Sequence, residues 1–336
     1  MINLYEYRLK FCLNKKQRKA SFEILINYKK GNNILLDAVC GAGKTEMLLE
    51  VIKYALNNYQ KVGFACPRKE LTIDLYQRIN EYFNHNSIGL VVGNHSQYSQ
   101  SNFIFLTTHQ LKKYQNYFDL LIIDEIDAFP FCDNFELEND AFNSSKKFIF
   151  LSATVPLKYY KLVKENKLAY INNFQRHHYQ TMPVPCLISC NYGLMWITLL
   201  KYILKLKDNP LIIFVPTIKI GRAIHRLLNV FFIKNYFVHS KNLTQSKIND
   251  FRSNKVKIII STSVLERGIT LKGLNIIVYH CSHFIFNEAT LIQMCGRVGR
   301  DSTISYGHIF FLGNNLNKNI DNCIKKIKKY NEMLYL

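Results

Sequence analysis

The sequence predicts an α/β protein of two tandem domains, each a mainly parallel sheet with helices on both faces. Three observations lead there. Strand-length apolar runs without polar alternation recur along the chain, as strands buried on both faces require. Amphipathic stretches of helical period lie between them. The scheme then repeats past a break at 180–185, which holds two prolines. The domains are therefore placed at 1–180 and 181–336, consistent with about 150 residues per domain.

In the first half the strands fall near 33–39, 62–66, 88–92, 103–106, 119–123 and 148–151, with helices such as 46–57 and 70–83 between them. In the second half strands are expected near 211–215, 236–239, 257–261, 275–279 and 307–312. Helical patterns there cover 191–207, 217–229, 243–252, 287–295 and 316–334.

Composition narrows the function classes. Apolar residues make up 48% of the 336, enough for real cores, and the 20% charged fraction is too low for a disordered chain. No segment approaches the ~18 uninterrupted apolar residues that span a bilayer. Charges throughout MINLYEYRLKFCLN argue against a signal peptide. The nine cysteines are scattered without a C-x-x-C pair, as expected of thiols in a reducing cytosol. A secreted, membrane-spanning or disulfide-built protein is not expected. Lys and Arg number 44 against 24 Asp and Glu, and residues 181–336 alone hold 21 basic and 7 acidic side chains. Such an excess points to a polyanionic partner, a nucleic acid or an anionic membrane surface. An AT-rich genome, whose codons favour lysine, accounts for part of it.

The chemistry becomes specific at 38–45. Ala38-Val-Cys-Gly-Ala-Gly-Lys-Thr45 is a P-loop with Ala in place of the first Gly, set between a strand and a helix. Gly41, Ala42 and Gly43 would turn backbone N–H groups toward phosphate oxygens, with Glu46 just inside the helix. Lys44 would contact the β- and γ-phosphates of ATP, and the Thr45 hydroxyl would ligate Mg²⁺. Some 80 residues on, the strand in FDLLIIDEIDAFP ends in Asp124, Glu125 and Asp127. A carboxylate at that end of a strand reaches the crevice where ligands of open α/β sheets sit. Asp124 would hold Mg²⁺, and Glu125 would orient and deprotonate the attacking water.

The strings AVCGAGKTE, DEIDAFP, FLSAT and QMCGRVGR resemble superfamily 2 helicase-type motors. The resemblance implies two RecA-like lobes with ATP in the cleft between them. More narrowly, AVCGAGKTEM, CPRKEL, TTHQL, DEIDAFP and LERGIT resemble the ComFA family, the ATPases of bacterial DNA uptake during natural competence. That family is similar to PriA and, more distantly, to DEAD-box proteins. The resemblance implies further roles. Gln17, ahead of the first helix, would face adenine. Pro67, Arg68, Thr107 and Thr108 would hold the nucleic-acid backbone, whose contacts carry no sequence information. Ser152 and Thr154 would couple hydrolysis to lobe movement, or cap the helix before Pro156.

In the second lobe the resemblance sets Thr262 and Ser263 against DNA and puts Glu266 to Gly268 near the nucleotide. Gln293 would close the site. Arg297 and Arg300, on neighbouring helical positions, would reach the γ-phosphate as arginine fingers. The implied partners are single-stranded DNA, a membrane DNA-channel protein and other competence proteins, at the inner face of the cell membrane. One departure concerns zinc. The family generally carries an N-terminal four-cysteine zinc module; here Cys12 stands alone, and Cys186 and Cys190 lack a second ligand pair. No zinc is expected. Two other readings stay open: a restart or RNA helicase, and a non-catalytic nucleic-acid-binding scaffold.

Overall fold

A computed structural model describes residues 4–83, 87–176, 180–242, 244–265, 271–299, 307–315 and 317–333. The chain divides into two compact units, Met1–His177 and His178–Leu336.

In the first unit the order runs α1 (Lys15–Lys29), β1 (Ile34–Ala38), α2 (Lys44–Met47), α3 (Leu49–Asn57), β2 (Val62–Cys66), α4 (Lys69–Asn80), β3 (Gly89–Val92) and β4 (His95–Gln97). It continues through β5 (Phe103–Thr107), a 3-10 helix (Thr108–Lys113), β6 (Phe118–Ile123), α5 (Phe135–Ser144), β7 (Ser145–Ser152), α6 (Leu157–Lys164) and β8 (Ala169–Asn173). Among the described residues these strands form one sheet in the order β4-β3-β5-β2-β6-β7-β1-β8. Only the β3–β4 pairing is antiparallel. The inner strands β1, β2 and β5 are buried along their whole length, which is why they read as continuous apolar runs. Leu35, Ala65, Leu121 and Phe150 sit in one core cluster on a face of this sheet.

The second unit contains β9 (Cys186–Ser189), α7 (Tyr192–Leu206), β10 (Leu211–Phe214), α8 (Ile218–Val230), β11 (Asn235–Val238), α9 (Gln245–Arg252) and β12 (Ile258–Ser261). After a short 3-10 turn come β13 (Asn275–Tyr279), α10 (Glu288–Cys295), β14 (Ile309–Gly313) and α11 (Lys318–Glu332). The described strands pair in parallel in the order β11-β12-β10-β13-β14-β9. The helix α8 is capped by Thr217, whose side chain accepts from the Ile220 N–H, and it buries Gly221, Ile224 and Leu228. Glycine is required at 221: a Cβ there would lie 2.2 Å from the Phe237 ring.

Both sheets are the parallel, helix-covered layers that the apolar runs predict. The structure adds three strands to those predicted. β4 (HSQ) is wholly exposed and lacks an apolar signature, whereas β8 and β9 are edge strands with half-exposed or polar residues. Helix α1 also begins earlier than expected. Asn14 caps it, and Gln17 is its third residue rather than lying ahead of it.

Candidate active site

The residues after β1 turn through two left-handed glycines, Gly41 at φ +84° and Gly43 at φ +74°. Behind this loop Gln17 is 1% exposed and makes three hydrogen bonds. Its backbone N–H donates to Asn14 Oδ1 at 2.8 Å, its Oε1 accepts the Asn14 N–H at 2.8 Å, and its Nε2 donates to the Ala42 carbonyl at 2.9 Å. A Cβ at position 43 would meet that Nε2 at 2.4 Å. The side chain of Gln17 therefore braces the loop, and glycine at 43 makes room for it. Lys44 Nζ donates to the Ala38 carbonyl at 3.2 Å, which holds the ammonium against the start of the loop.

Thr45 and Glu46 are both buried, and one side chain that the sequence reading missed reaches both. Arg78, in the last turn of α4, donates from a terminal guanidinium nitrogen to Thr45 Oγ1 at 3.1 Å. Its Nε lies 3.7 Å from Glu46 Oε1. No motif announces this arginine, which stands 33 residues from Thr45; only the packing of α4 brings them together.

The carboxylate box follows β6. Asp124 Oδ1 accepts the Glu125 N–H at 2.8 Å, and Glu125 sits at φ +55°, a strained conformation for a residue other than glycine. Asp127 receives two hydroxyls, from Ser152 Oγ at 2.7 Å and Thr154 Oγ1 at 2.6 Å, and the Thr154 N–H donates to Ser152 Oγ at 2.8 Å. The strands adjoin in the order β6-β7-β1, and Asp37 of β1 is the register partner of Ser152 of β7. P-loop, carboxylate box and hydroxyl segment thus share the C-terminal edge of three neighbouring strands, where α/β sheets hold ligands.

Two buried groups extend the site inward. The Asp37 carboxylate accepts from Tyr160 at 2.7 Å and from Tyr170 at 2.9 Å; burial, followed by the carboxylate, pushes both phenols well above the ordinary tyrosine range. The Cys66 thiol is pushed up chiefly by burial, with Asp124 and Glu125 adding to it. The donor set suits a hard cation. Thr45 and Asp124 offer oxygen, and among the described residues no three or more His, Cys, Asp or Glu side chains gather into a cage. Mg²⁺ takes few carboxylates and completes its shell with water and phosphate.

The residues expected at nucleic acid are divided. Arg68, the residue before α4, is half-buried, whereas Pro67 is buried. Thr107 is buried as well. Thr108 is 0% exposed, and its hydroxyl meets no hydrogen-bond partner among the described residues. The Thr108 side chain is thus turned to the interior of the 3-10 helix, which leaves its backbone as the group that would meet a phosphate. In the second unit Thr262 and Ser263 follow β12 and are half-buried. Gln293 lies within α10 and Arg297 just beyond it, both buried. Gly268 and Arg300 lie outside the described residues.

Residues 10–157 match the family described as type III restriction enzyme, res subunit, and residues 195–302 match the helicase conserved C-terminal domain. The chain is 33% identical over 331 residues to competence protein ComFA of Streptococcus pneumoniae (strain ATCC BAA-255 / R6), covering 94% of this chain and 76% of that one. It is 29% identical over 335 residues to competence protein ComFA of Bacillus subtilis (strain 168), covering 96% and 72%. A solved structure of S. cerevisiae Dbp5 bound to RNA and ADP BeF3 superposes with TM-score 0.68 at 18% identity, covering 95% of this chain and 91% of that one. At that identity the likeness shows a shared fold of tandem RecA-like domains.

Proposed function

This chain belongs to the ComFA family of helicase-type ATPases associated with competence, and on that premise we propose that it hydrolyses ATP while moving on single-stranded DNA. The movement would drive DNA uptake. One observation carries this reading: Asp127 ties the carboxylate box to Ser152 and Thr154, on strands adjoining the one that bears the P-loop. A change at the γ-phosphate then has a direct hydrogen-bonded route into the hydroxyl segment.

In this reading residues 1–180 bind the nucleotide and 181–336 complete the reaction. Lys44 contacts the β- and γ-phosphates, cradled by Gly41, Ala42 and Gly43. Thr45 and Asp124 would hold Mg²⁺, which when bound would supply positive charge to the phosphate oxygens. Glu125 orients the water and takes its proton. Arg297 and Arg300 stabilise the charge that builds on the transferred group, with Gln293 and Gly268 beside the nucleotide. Gln17 serves adenine as well as bracing the loop. Arg68, Thr107, Thr262 and Ser263 hold the DNA backbone. Among the described residues no helix is long and apolar enough to cross a membrane. In this reading the chain works at the inner face of the cell membrane, beside a DNA-channel protein and other competence proteins.

The test is steady-state ATP hydrolysis with single-stranded DNA, duplex DNA and RNA added separately. Stimulation chiefly by single-stranded DNA is expected. Stimulation chiefly by RNA would favour an RNA helicase, and indifference to every polynucleotide would remove the motor reading. No turnover at all would leave the scaffold.

A further inference from the structure

The second unit carries an apolar groove at the end of its sheet remote from Thr262 and Ser263. The loops leading into β10, β11 and β12, with the C-terminal half of α7, enclose about 590 Å³. Leu200, Leu204 and Ile233 form its aliphatic side. Phe231 and Phe232 line it too, and with Val230 they make three consecutive apolar residues, Val230 71%, Phe231 54% and Phe232 98% exposed. Burial accounts for none of them. Phe232 also stands at φ +54° just past α8, where the Ile233 N–H closes onto the Leu228 carbonyl at 2.9 Å. Glycine usually fills this place in a helix ending, because a Cβ is strained there. Neither packing nor backbone preference selects phenylalanine at 232. Contiguous exposed apolar surface of this kind marks an interaction site.

Charge indicates the occupant. Lys207, Lys234, Lys255 and Lys257 line the groove against a single lining carboxylate, that of Asp208. Two of the four are partly engaged: Lys257 Nζ donates to the Asp208 carbonyl at 2.9 Å, and Lys255 lies 3.8 Å from Asp250. A second copy of a chain with net charge +20 would bring like charge onto this face. Phe231 and Phe232 offer planar faces on which a base could stack, but the side facing them is aliphatic, Leu200, Leu204 and Ile233, and suits the apolar side chains of a protein segment. We propose that the groove docks an acidic amphipathic segment of a partner protein. Its apolar side chains would sit on Leu200, Leu204 and Phe231, and its carboxylates would pair with the lysines of the rim. The proposal is independent of the reading of the nucleotide site.

The test uses the full chain and a fluorescein-labelled peptide of about four helical turns, with leucines and a phenylalanine on one face and glutamates on the other. Fluorescence anisotropy should show saturable binding. Phe232→Ser should weaken it about tenfold or more, and so should Lys207→Glu combined with Lys234→Glu, with oligo(dT) and ATP affinities held within about twofold. These positions are exposed, so unchanged melting temperatures are expected and separate lost binding from lost folding. A glutamine version of the peptide should bind more weakly, with its salt dependence gone. Absence of saturable binding up to about 1 mM would overturn the proposal, as would binding that ignores the substitutions. It would equally be overturned if the substitutions instead abolished binding to phosphatidylcholine–phosphatidylglycerol vesicles or to oligo(dT). The groove would then be a membrane or nucleic-acid surface.

Discussion

At the scale of single residues, Glu125 and Arg78 illustrate two ways of serving one site. Glu125 is held in a left-handed backbone conformation beside Asp124, strain that the surrounding strand ends must sustain. Glu125→Gln keeps the shape of the side chain and removes its basicity. The expected outcome is ATP binding close to wild type, with turnover down by about 10²-fold or more, read by nucleotide titration and steady-state hydrolysis. Loss of binding together with turnover would assign Glu125 to the nucleotide pocket instead. Arg78 acts through Thr45 and Glu46. Removing it leaves a buried carboxylate without its guanidinium and frees the Thr45 hydroxyl to rotate. Because the arginine side chain is 41% exposed, solvent screens part of the effect. Arg78→Ala should therefore cost about 1 kcal/mol, roughly 2–4 °C in melting temperature, and should raise KM for MgATP more than it lowers kcat. An unchanged KM would make Arg78 a surface residue with an incidental contact.

At the scale of elements, the edge strands and the 3-10 helix depart furthest from what periodicity suggests. β4 has no buried residue, so no apolar pattern could mark it; backbone pairing to β3 alone defines it. The segment after β5 holds Thr107 and Thr108, assigned to the nucleic-acid backbone, yet the 3-10 helix buries the Thr108 side chain as fully as that of Leu111. Thr108→Val tests that burial. The substitution trades a buried hydroxyl without a partner for a methyl group of similar size, so stability should hold or rise by up to about 1 kcal/mol. Affinity for single-stranded DNA should stay within about twofold, measured by anisotropy alongside thermal melting. A large loss of DNA affinity with stability intact would return Thr108 to the nucleic-acid surface.

At the scale of the whole molecule, the reading requires residues of both units, and Arg300 tests that requirement. Arg300→Ala should retain ATP and DNA binding and lose about 10³-fold in turnover, because charge developing on the γ-phosphate lacks its guanidinium. Turnover within about threefold of wild type would remove the arginine-finger assignment. The basic excess of 181–336 makes a second global prediction. Affinity for single-stranded DNA should fall with salt at a log–log slope of about 0.7 per neutralised phosphate, with little sequence preference. A flat response between about 50 and 200 mM salt would mean that the charge serves another partner.

Sequence alone determined the tandem α/β plan, the P-loop and the carboxylate box, because each is a local pattern. Buried parallel strands leave continuous apolar runs, and a loop that turns around phosphate needs glycine and lysine at set spacing. Family membership was legible in the same short strings, from AVCGAGKTE to QMCGRVGR. Tertiary structure decided what depends on distant segments meeting. It set Gln17 beneath Gly43 and Arg78 on Thr45, and it tied Asp127 to Ser152 and Thr154. It buried Thr108, and it left Phe232 exposed among lysines drawn from three separate loops. None of these is encoded at a fixed sequence interval. Each follows from strand order and helix packing, which bring together residues tens of positions apart and decide which side of an element faces solvent.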